Sequence, residues 1–549
     1  MGFVFLGSYK PVFSHPTIFF RKRIGPSTSM AYNYAENKEE KPDPVKAEVK
    51  GNLPSWLHGT LLRNGPGMFT IGKTTYNHWF DGMALMQSFT FQDGEVIYRS
   101  RYLRGDTYKN NMAANRIVVS EMGTMAYPDP SKNLISKAIT FLNNTVPDFT
   151  DNCGSNFIRY GKDYYATSET NYIRKIDPTT LETLDKVDYQ KYVPVNLATS
   201  HPHYDKEGNT YNMGTSIAEK GKTKYIFFKV PATAAAETGK SSPALKRLEV
   251  ISTVPCRSLL SPSYYHSFGM TENYLIFIEQ PFKLDILKMA TAYMRKVNWA
   301  SCLKFSPEEN TLIHLIDKKT GKEVGIKYYT DAMVVYHHVN AFEEDGHVIF
   351  DVIAYDDPSL YHVFYLDVLK QSSALDKCVP RCKRFALPVQ TDMTLDVGED
   401  MVKLKYTTAS AVKDKDGKLH CQPEVLCENV ELPRINYDFN GKKYRYVYLT
   451  CVGMSAVATK IVKFDNETKE RIEWSEENCW PSEPVFIPRP NGEGEDDGLV
   501  LTSIINANPG ESGFMLVLDA KSFTEVARAY VKTELYMDMH GYFIPFKDN

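Results

Sequence analysis

The sequence predicts an all-β protein, a seven-bladed β-propeller with a cap of helices and loops over one face. Two observations indicate this fold. From Val45 onward, short apolar runs alternate with turn signals, and one strand–turn–strand unit recurs along them at nearly regular intervals. We divide the 549 residues into an N-terminal extension, residues 1–44, and one domain, residues 45–549. The domain is long enough for seven units of roughly 70 residues.

The recurring unit is an apolar strand that ends in an aspartate, followed by a polar turn and another strand. Aspartate marks hairpins because its carboxylate accepts hydrogen bonds from the turn backbone. The aspartates are separated by 140 (317 − 177), 148 (465 − 317) and 54 (519 − 465) residues, which correspond to about two, two and one units. They are Asp177, Asp317, Asp465 and Asp519. Separate β-sandwich domains would need linkers, and no Pro/Ser-rich linker is found in the sequence.

Two stretches depart from the β pattern. Residues 132–142 repeat apolar residues at helical spacing, and residues 283–296 combine a Leu/Ile/Met stripe with basic residues. We expect either helices packed over the open face of the propeller or amphipathic segments. Amphipathic segments would lie on a membrane surface or line an apolar entrance.

Composition limits the class of protein and its compartment. The net charge of −3, with both signs mixed, argues against nucleic-acid binding, and no apolar run reaches the roughly 18 residues of a membrane span. Nine cysteines without a CxxC pair predict free thiols in a reducing, intracellular compartment. Residues 1–30 are basic, contain many Ser and Phe residues and lack acidic residues, which suits a mitochondrial transit peptide or a disordered extension. Cytoplasmic and mitochondrial locations therefore both stay open.

Four histidines follow the spacing of the predicted blades, at separations of 65 (266 − 201), 71 (337 − 266) and 203 (540 − 337) residues. They are His201, His266, His337 and His540. A single histidine is more often structural, but equivalent positions on the inner strands of a propeller face its axis. We therefore predict that these four converge on one metal ion beneath the cap, while His203 and His338, close to two of them, stay ambiguous.

The proposed donor set narrows the choice of metal. Four neutral imidazoles suit Fe, Cu, Ni or Zn rather than Mg or Ca. Each imidazole also needs its second nitrogen held, commonly by a carboxylate. Spacing alone does not select these carboxylates from the 67 acidic residues.

The sequence also resembles the carotenoid cleavage oxygenases, from about Val45 to Lys547. The resemblance rests on LLRNGPG at 61–67, NHWFDG at 77–82, YPDP at 127–130, the four histidine segments and three glutamate segments. It implies a seven-bladed propeller with non-haem Fe(II) on its axis, which takes a carotenoid and O2 and leaves both oxygen atoms in two carbonyl products. The residues that it implies are the ligands His201, His266, His337 and His540, and the orienting carboxylates Glu169, Glu431 and Glu483.

The resemblance suggests roles for two further residues beside the metal. Tyr264, two residues before a ligand, is the candidate for stabilising cationic character in the polyene. Ser168, next to Glu169, is expected to border the open site. Peripheral contact with a membrane is also expected, whereas no obligate protein partner is.

Within the family, the sequence at residues 197–204, 284–291 and 331–338 is most similar to animal members that split beta-carotene at its central 15,15′ bond into two retinals. Three departures qualify this similarity: Ser131 replaces a cysteine, Met122 replaces a phenylalanine, and the N-terminal extension is unusual for these members. Eccentric cleavage to apocarotenals therefore stays open as an alternative. Two others are a retinoid isomerohydrolase, which uses iron as a Lewis acid, and a non-catalytic carrier.

Overall fold

A computed structural model describes residues 36–127, 149–219, 221–232, 244–369, 378–389, 396–452 and 458–546. Seven larger β-sheets in this part of the chain form the seven blades of a propeller, which confirms the predicted architecture. Two-stranded ribbons, Thr70–Ile71 with Thr74–Thr75 and Phe282–Leu284 with Leu303–Phe305, add to them. Neighbouring strands of the blades are antiparallel except for one parallel pair, Tyr328–Thr330 with Leu419–Gln422.

The blades are numbered I to VII in order round the ring. The strands of blades I to III are Val45–Lys46, Glu95–Tyr102, Met83–Gln92, Gly59–Met68 and His540–Pro545 in blade I; Asn156–Tyr160, Asp163–Thr167, Tyr172–Ile176 and Thr183–Asp188 in blade II; and Leu197–Ala198, His203–Tyr204, Thr210–Glu219, Lys222–Val230 and Glu249–Pro255 in blade III.

Those of blades IV and V are Gly269–Met270, Tyr274–Glu279, Thr311–Asp317, Tyr328–Thr330, Leu419–Gln422 and Ser410–Lys413 in blade IV; and Val334–Glu344, His347–Tyr355, Arg381–Pro388 and Glu424–Glu428 in blade V. Those of the last two are Val430–Arg434, Tyr446–Val452, Ala458–Asp465 and Arg471–Trp474 in blade VI; and Cys479–Pro481, Val485–Pro488, Gly498–Asn506, Phe514–Asp519, Glu525–Tyr530 and Glu48–Gly51 in blade VII.

Apolar packing between blades explains why the central strands of the blades are largely hydrophobic. Every residue of the blade V strand His347–Tyr355 is buried. Successive side chains of a strand point to opposite faces. Phe350 and Val352 accordingly pack against blade IV, whereas Ile349 and Ile353 pack against blade VI. Each of the seven blade interfaces contains a buried apolar cluster of this kind.

Strand exchange near both ends of the chain closes the ring. The late strand His540–Pro545 pairs with Gly59–Met68 in blade I, and the early strand Glu48–Gly51 pairs with Glu525–Tyr530 in blade VII. The two pairings join the ends of the chain to the first and last blades. The first of them also places His540 on the inner side of blade I.

The four aspartates of the repeat occupy the predicted turns. Each carboxylate accepts hydrogen bonds from the backbone N–H groups two and three residues later, in the turn that follows its strand. They are Asp177 in blade II, Asp317 in blade IV, Asp465 in blade VI and Asp519 in blade VII. The repeated aspartates therefore mark the same kind of hairpin turn in four blades.

The predicted cap includes the helical segments Trp79–Asp81, Ile286–Ala290, Trp299–Cys302 and Ser359–Val363, which lie over the inner strands. The helices of the described residues are Asp106–Ala114, Ile286–Ala290, Ser359–Val363 and Leu366–Leu369, with 3-10 turns at Trp79–Asp81, Tyr189–Lys191, Ala244–Arg247, Trp299–Cys302 and Tyr437–Phe439. Among the residues described, none of the helices is long and apolar enough to cross a membrane.

The two stretches with helical patterns have different outcomes. Residues 132–142 lie outside the described residues. Within 283–296 only Ile286–Ala290 is α-helical, because Lys283 and Leu284 belong to a two-stranded ribbon. The pattern therefore overestimated the length of this helix.

The packed chain begins before the predicted boundary at Val45. The backbone N–H of buried Lys38 donates to the carbonyl of Gly67 over 2.7 Å, and Glu40 accepts from the backbone N–H of Tyr102 over 2.7 Å. These hydrogen bonds tie residues near 40 to blade I.

Candidate metal centre and cavity

The structure brings the four predicted histidines together on the propeller axis. One ring nitrogen from each lies within 4.8 Å of the others, and the Nε2 atoms of His201 and His266 are 2.8 Å apart. They come from blades III, IV, V and I, in the order His201, His266, His337 and His540. Residues far apart in sequence therefore form one cluster of nitrogen donors.

Backbone irregularity aims His337 at this cluster. In blade V, the register between Val334–Glu344 and His347–Tyr355 shifts on both sides of the pair His337–His338. Such β-bulges change the direction of side chains locally. The shift resolves the ambiguity of the pair, since His337 joins the cluster and His338 does not.

His203 also lies outside the cluster. Its Nε2 donates to the backbone carbonyl of Phe268 over 2.7 Å. The other ambiguous histidine, His338, also lies outside the cluster, and burial lowers its pKa to about 3. Of the two ambiguous histidines, neither therefore belongs to the group that could hold a metal.

Three glutamates contact three of the histidines, one each. Glu169 Oε1 contacts Nδ1 of His266, Glu431 Oε2 lies 2.7 Å from Nδ1 of His337, and Glu483 Oε1 lies 3.2 Å from Nδ1 of His540. With Nδ1 protonated and bonded to a carboxylate, each ring presents Nε2 to the centre. These are the carboxylates that the family resemblance implied.

Further groups fix each carboxylate. The hydroxyl of Tyr264 is 3.1 Å from both oxygens of Glu169, and the hydroxyl of Tyr355 donates to Glu431 Oε1 over 2.7 Å. Glu431 Oε2 also accepts from the backbone N–H of Leu432 over 2.6 Å. Leu432 has a φ of 50° at a bulge between blade VI strands, so local backbone strain helps to direct Glu431.

Glu483 is held by positive charge. Arg434 Nη1 lies 3.2 Å from its Oε1, Arg63 Nη1 lies 3.6 Å from its Oε2, and the backbone N–H of Gly541 donates to Oε2 over 2.9 Å. Burial alone would raise the pKa of Glu483, but the charges of Arg434 and His540 lower it by a larger amount. The net pKa therefore lies well below the usual range. Glu483 is therefore an ionised partner for His540.

The lowered pKa values of His201 and His540 keep two of the four imidazoles neutral, as a bound cation requires. Burial lowers the pKa of His201 well below its usual value, and the neighbouring imidazoles lower it further. Burial lowers the pKa of His540 to about 4 despite Glu483. In His337 burial also lowers the pKa, but Glu431 outweighs it and the pKa rises. His337 Nε2 is buried without a hydrogen-bond partner. Four imidazoles with anionic supports thus fit a divalent transition metal.

A largely apolar cavity of about 340 Å³ adjoins the centre. Cap elements and inner strands provide its walls, and His266, His337 and His540 border it. Aromatic lining residues include Trp79, Phe80, Phe149, Phe282, Trp299 and Tyr336. The cavity is the kind of site that binds an apolar ligand beside a few polar groups.

The remaining predicted residues also lie at this cavity. Ser168 and Tyr264 line it, as does Met122, whose carbonyl accepts from the backbone N–H of Ala300 over 2.8 Å. The sequence reasoning missed Tyr355, 76 residues from its partner Glu431. Arg63 lies inside the motif at residues 61–67, and Arg434 lies three residues after Glu431, so the sequence offered a signal for both.

Comparison with known sequences identifies the family. The sequence pattern of the family described as retinal pigment epithelial membrane protein matches residues 34–545. The chain is 61% identical over 518 residues to the beta,beta-carotene 15,15′-dioxygenase of Gallus gallus, covering 94% of this chain and 98% of the relative. It is 59% identical over 519 residues to the enzyme of the same name from Homo sapiens, covering 94% and 95%. A mitochondrial carotenoid-cleaving dioxygenase of Homo sapiens is 42% identical over 525 residues, covering 92% and 89%.

Comparison with solved structures supports the fold. A point mutant of Synechocystis apocarotenoid oxygenase has a TM-score of 0.74 at 22% identity, covering 96% of this chain and all of that one. The cobalt-substituted form of that enzyme has a TM-score of 0.73 at 21% identity, covering 95% and 99%.

Proposed function

The chain belongs to the retinal pigment epithelial membrane protein family, which contains the carotenoid oxygenases, and we propose that it cleaves beta-carotene with O2 at the central 15,15′ double bond into two retinals. The observation that carries this proposal is the union of the four-histidine centre with an apolar cavity in one site. The substrate and the bond follow from relatives near 60% identity.

We propose Fe(II) as the metal, with His201, His266, His337 and His540 as its ligands. When bound, Fe(II) would supply the redox chemistry that activates O2. Glu169, Glu431 and Glu483 hold the Nδ1 protons of three histidines, so that Nε2 of each stays directed at the centre. The cobalt substitution of the Synechocystis enzyme supports a metal site in this fold.

The cavity binds and positions the polyene. Aromatic and aliphatic side chains exclude water and favour a hydrocarbon over a polar ligand. The ring of Tyr264 lines the cavity while its hydroxyl is held by Glu169, so its orientation is fixed. An aromatic face beside the reacting carbons stabilises cationic character in the polyene. Ser168, small and next to Glu169, leaves space at the open side of the centre.

We propose that the substrate enters from a membrane surface. Leu287 and Met294 are 61% and 59% exposed, although both are apolar. They flank Met289, which lines the cavity, and Leu284 nearby also lines it. Exposed apolar side chains beside an apolar cavity suit a protein that takes a lipid-soluble substrate. Flotation with liposomes should weaken in Leu287→Ser/Met294→Ser and stay unchanged in the matched pair Val250→Ser/Ile472→Ser on other exposed strands.

The cellular compartment of the protein is also a proposal. We propose an intracellular location, either cytoplasmic at a membrane surface or mitochondrial through residues 1–30. A relative at 42% identity is a mitochondrial carotenoid-cleaving enzyme. Import of the full chain into isolated mitochondria, compared with a chain that starts at Met30, distinguishes the two.

Product analysis tests the function. Purified protein loaded with Fe(II) receives beta-carotene with and without O2, and the products are separated by chromatography. We expect retinal alone, and only with O2. Longer and shorter apocarotenals would instead establish eccentric cleavage, and products without O2 would contradict an oxygenase. Carotenoid binding without turnover by the iron-loaded protein would indicate a carrier.

A further inference from the structure

Two cysteines face each other across neighbouring strands at the outer edge of blade V. Cys382 lies in Arg381–Pro388 and Cys427 in Glu424–Glu428, and the two are direct partners in the antiparallel register. Both are free thiols. Direct antiparallel partners have Cβ atoms about 4.5–5.5 Å apart, close to the roughly 3.5–4.5 Å of a disulfide. A small approach of the strands therefore suffices to join them.

We propose that Cys382 and Cys427 are a redox-sensitive pair that a peroxide-class oxidant converts into a reversible disulfide. Their unequal burial gives each a role. Cys382 is fully buried, whereas Cys427 is partly exposed and accessible to a small oxidant. Cys427 therefore reacts first, because only its sulfur is reached from solvent, and the neighbouring thiol and burial raise the pKa of Cys382.

The chemistry balances in two steps. The Cys427 sulfur attacks one oxygen of hydrogen peroxide, the O–O bond breaks, and a sulfenic acid and one water form. The Cys382 sulfur then attacks the Cys427 sulfur, the S–O bond breaks, and the disulfide and a second water form. Peroxide is reduced and the two thiols are oxidised, with their two protons transferred to water.

The local backbone explains why the bond would be reversible. The register of the two strands shifts immediately after Cys382, between it and Lys383, so the pair sits beside a bulge. Directly paired cross-strand disulfides depart from relaxed geometry, and strained disulfides are more easily reduced. A bond at this position would thus form under oxidant and open again under thiol reductant.

The pair is connected to the metal centre in two ways. Across the sheet, Cys427 pairs with Cys382, Cys382 with Ile353, and Ile353 with His337. Along the chain, Cys427 lies four residues before Glu431, which bonds His337. Drawing the two strands together would therefore shift the segment that orients a proposed ligand. This consequence for activity depends on the proposed function, whereas formation of the disulfide does not.

Peptide mapping of the full-length, Fe(II)-loaded protein tests the proposal. After mild hydrogen peroxide and alkylation of free thiols, we expect a cross-linked peptide pair that contains Cys382 and Cys427 and disappears with dithiothreitol. Cys427→Ser should abolish it and keep the turnover of the reduced enzyme. Cys451→Ser, at a third thiol in the same apolar cluster, should leave it unchanged.

Two results would overturn the pair. One is oxidation of Cys427 to sulfinic acid without a cross-link, and the other is a bond between Cys427 and Cys451. Turnover supplies the functional readout: we expect a severalfold loss on cross-linking that dithiothreitol reverses and that Cys427→Ser lacks. A cross-linked enzyme with unchanged turnover would overturn the connection to the centre. Failure of the reduced enzyme to cleave any carotenoid would contradict the proposed function instead.

Discussion

Glu431 and His337 lie in adjacent blades, and the carboxylate Oε2 of one is 2.7 Å from Nδ1 of the other. Tyr355, in blade V like His337, donates to the other carboxylate oxygen over 2.7 Å. Glu431 is buried and the side chain of His337 is 11% exposed. Burial raises the pKa of Glu431, but His337 lowers it by more, so its net pKa lies below the usual value. Glu431 is therefore an ionised carboxylate that orients His337 across the V–VI interface.

Replacing this carboxylate by its amide should impair orientation without removing a proposed ligand. We expect Glu431→Gln to lower kcat about 10- to 100-fold, the usual cost of losing such an outer partner of a metal ligand. Steady-state kinetics and iron content check this prediction. Glu428→Gln, three residues away and exposed, is the control. A loss equal to that of His337→Ala would mean that Glu431 does more than orient.

Removing a proposed ligand should have a larger effect. We expect His266→Ala and His540→Ala each to lower bound iron to background and turnover by more than about 100-fold, beyond the loss of an outer partner. Metal analysis and product chromatography measure the two effects. His420→Ala, at a histidine paired with Asp331 in blade IV away from the centre, should keep both. Full activity in either ligand variant would rule out the four-histidine site.

Two substitutions at Tyr264 separate the roles of its ring and its hydroxyl. Tyr264→Phe keeps the ring and loses only the hydrogen bonds to Glu169, so kcat should fall less than about tenfold. Tyr264→Leu also loses the aromatic face, worth about 2 kcal/mol when desolvated, so kcat should fall about 30-fold below that of Tyr264→Phe. Both variants should keep their iron, as should the control Tyr329→Phe. Equal losses would place the role in the hydroxyl.

Asp81 predicts a pH dependence of stability. Burial raises its pKa to about 7, against the lowering effect of its bonds from Thr124 and Gly123. The unfolded value is about 3.9, so between these values the folded state holds the proton that the unfolded state has lost. The contribution of Asp81 to the free energy of unfolding is therefore fully present below about pH 4 and is lost as the pH rises through about 7. From pH 6 to 8.5 the free energy of unfolding should fall by about 1.4 kcal/mol from this group.

Asp81→Asn removes the titrating group and should flatten this dependence. Denaturant unfolding of the wild type and the variant at both pH values gives the comparison. Asp163→Asn, at a surface carboxylate paired with Lys175, is the control and should keep the wild-type slope. An unchanged slope in Asp81→Asn would show that Asp81 is ionised in the folded protein.

Phe80 lies at a mouth of the cavity. It is 37% exposed, more than any other described residue that lines the cavity, and its ring stacks on Phe364 at 4.8 Å. Phe80→Ala should widen this mouth and loosen the register of the polyene, giving apocarotenals beside retinal at a stability cost of about 1 kcal/mol. Chromatography of the products measures this change. Phe546→Ala, 41% exposed and away from the cavity, should give retinal alone. An unchanged product pattern in Phe80→Ala would place the control of register elsewhere.

The sequence alone determined the propeller and the four histidines, because both depend on distance along the chain. Asp177, Asp317, Asp465 and Asp519 repeat at blade spacing because one hairpin recurs, and residues spaced by whole blades return to the axis. Family motifs were needed to select Glu169, Glu431 and Glu483, since spacing did not distinguish them from other carboxylates.

Tertiary structure decided what depends on register and on contacts between blades. The bulges around His337 and His338 directed one to the centre and the other away. The hydrogen bond between Tyr355 and Glu431 and the position of Phe80 at the cavity depend on how the blades pack. The pairing of Cys382 with Cys427 depends on the strand register, and no local sequence pattern predicts it. A one-residue shift of a strand reverses the faces of all its side chains, so these contacts follow from the folded sheet and not from spacing.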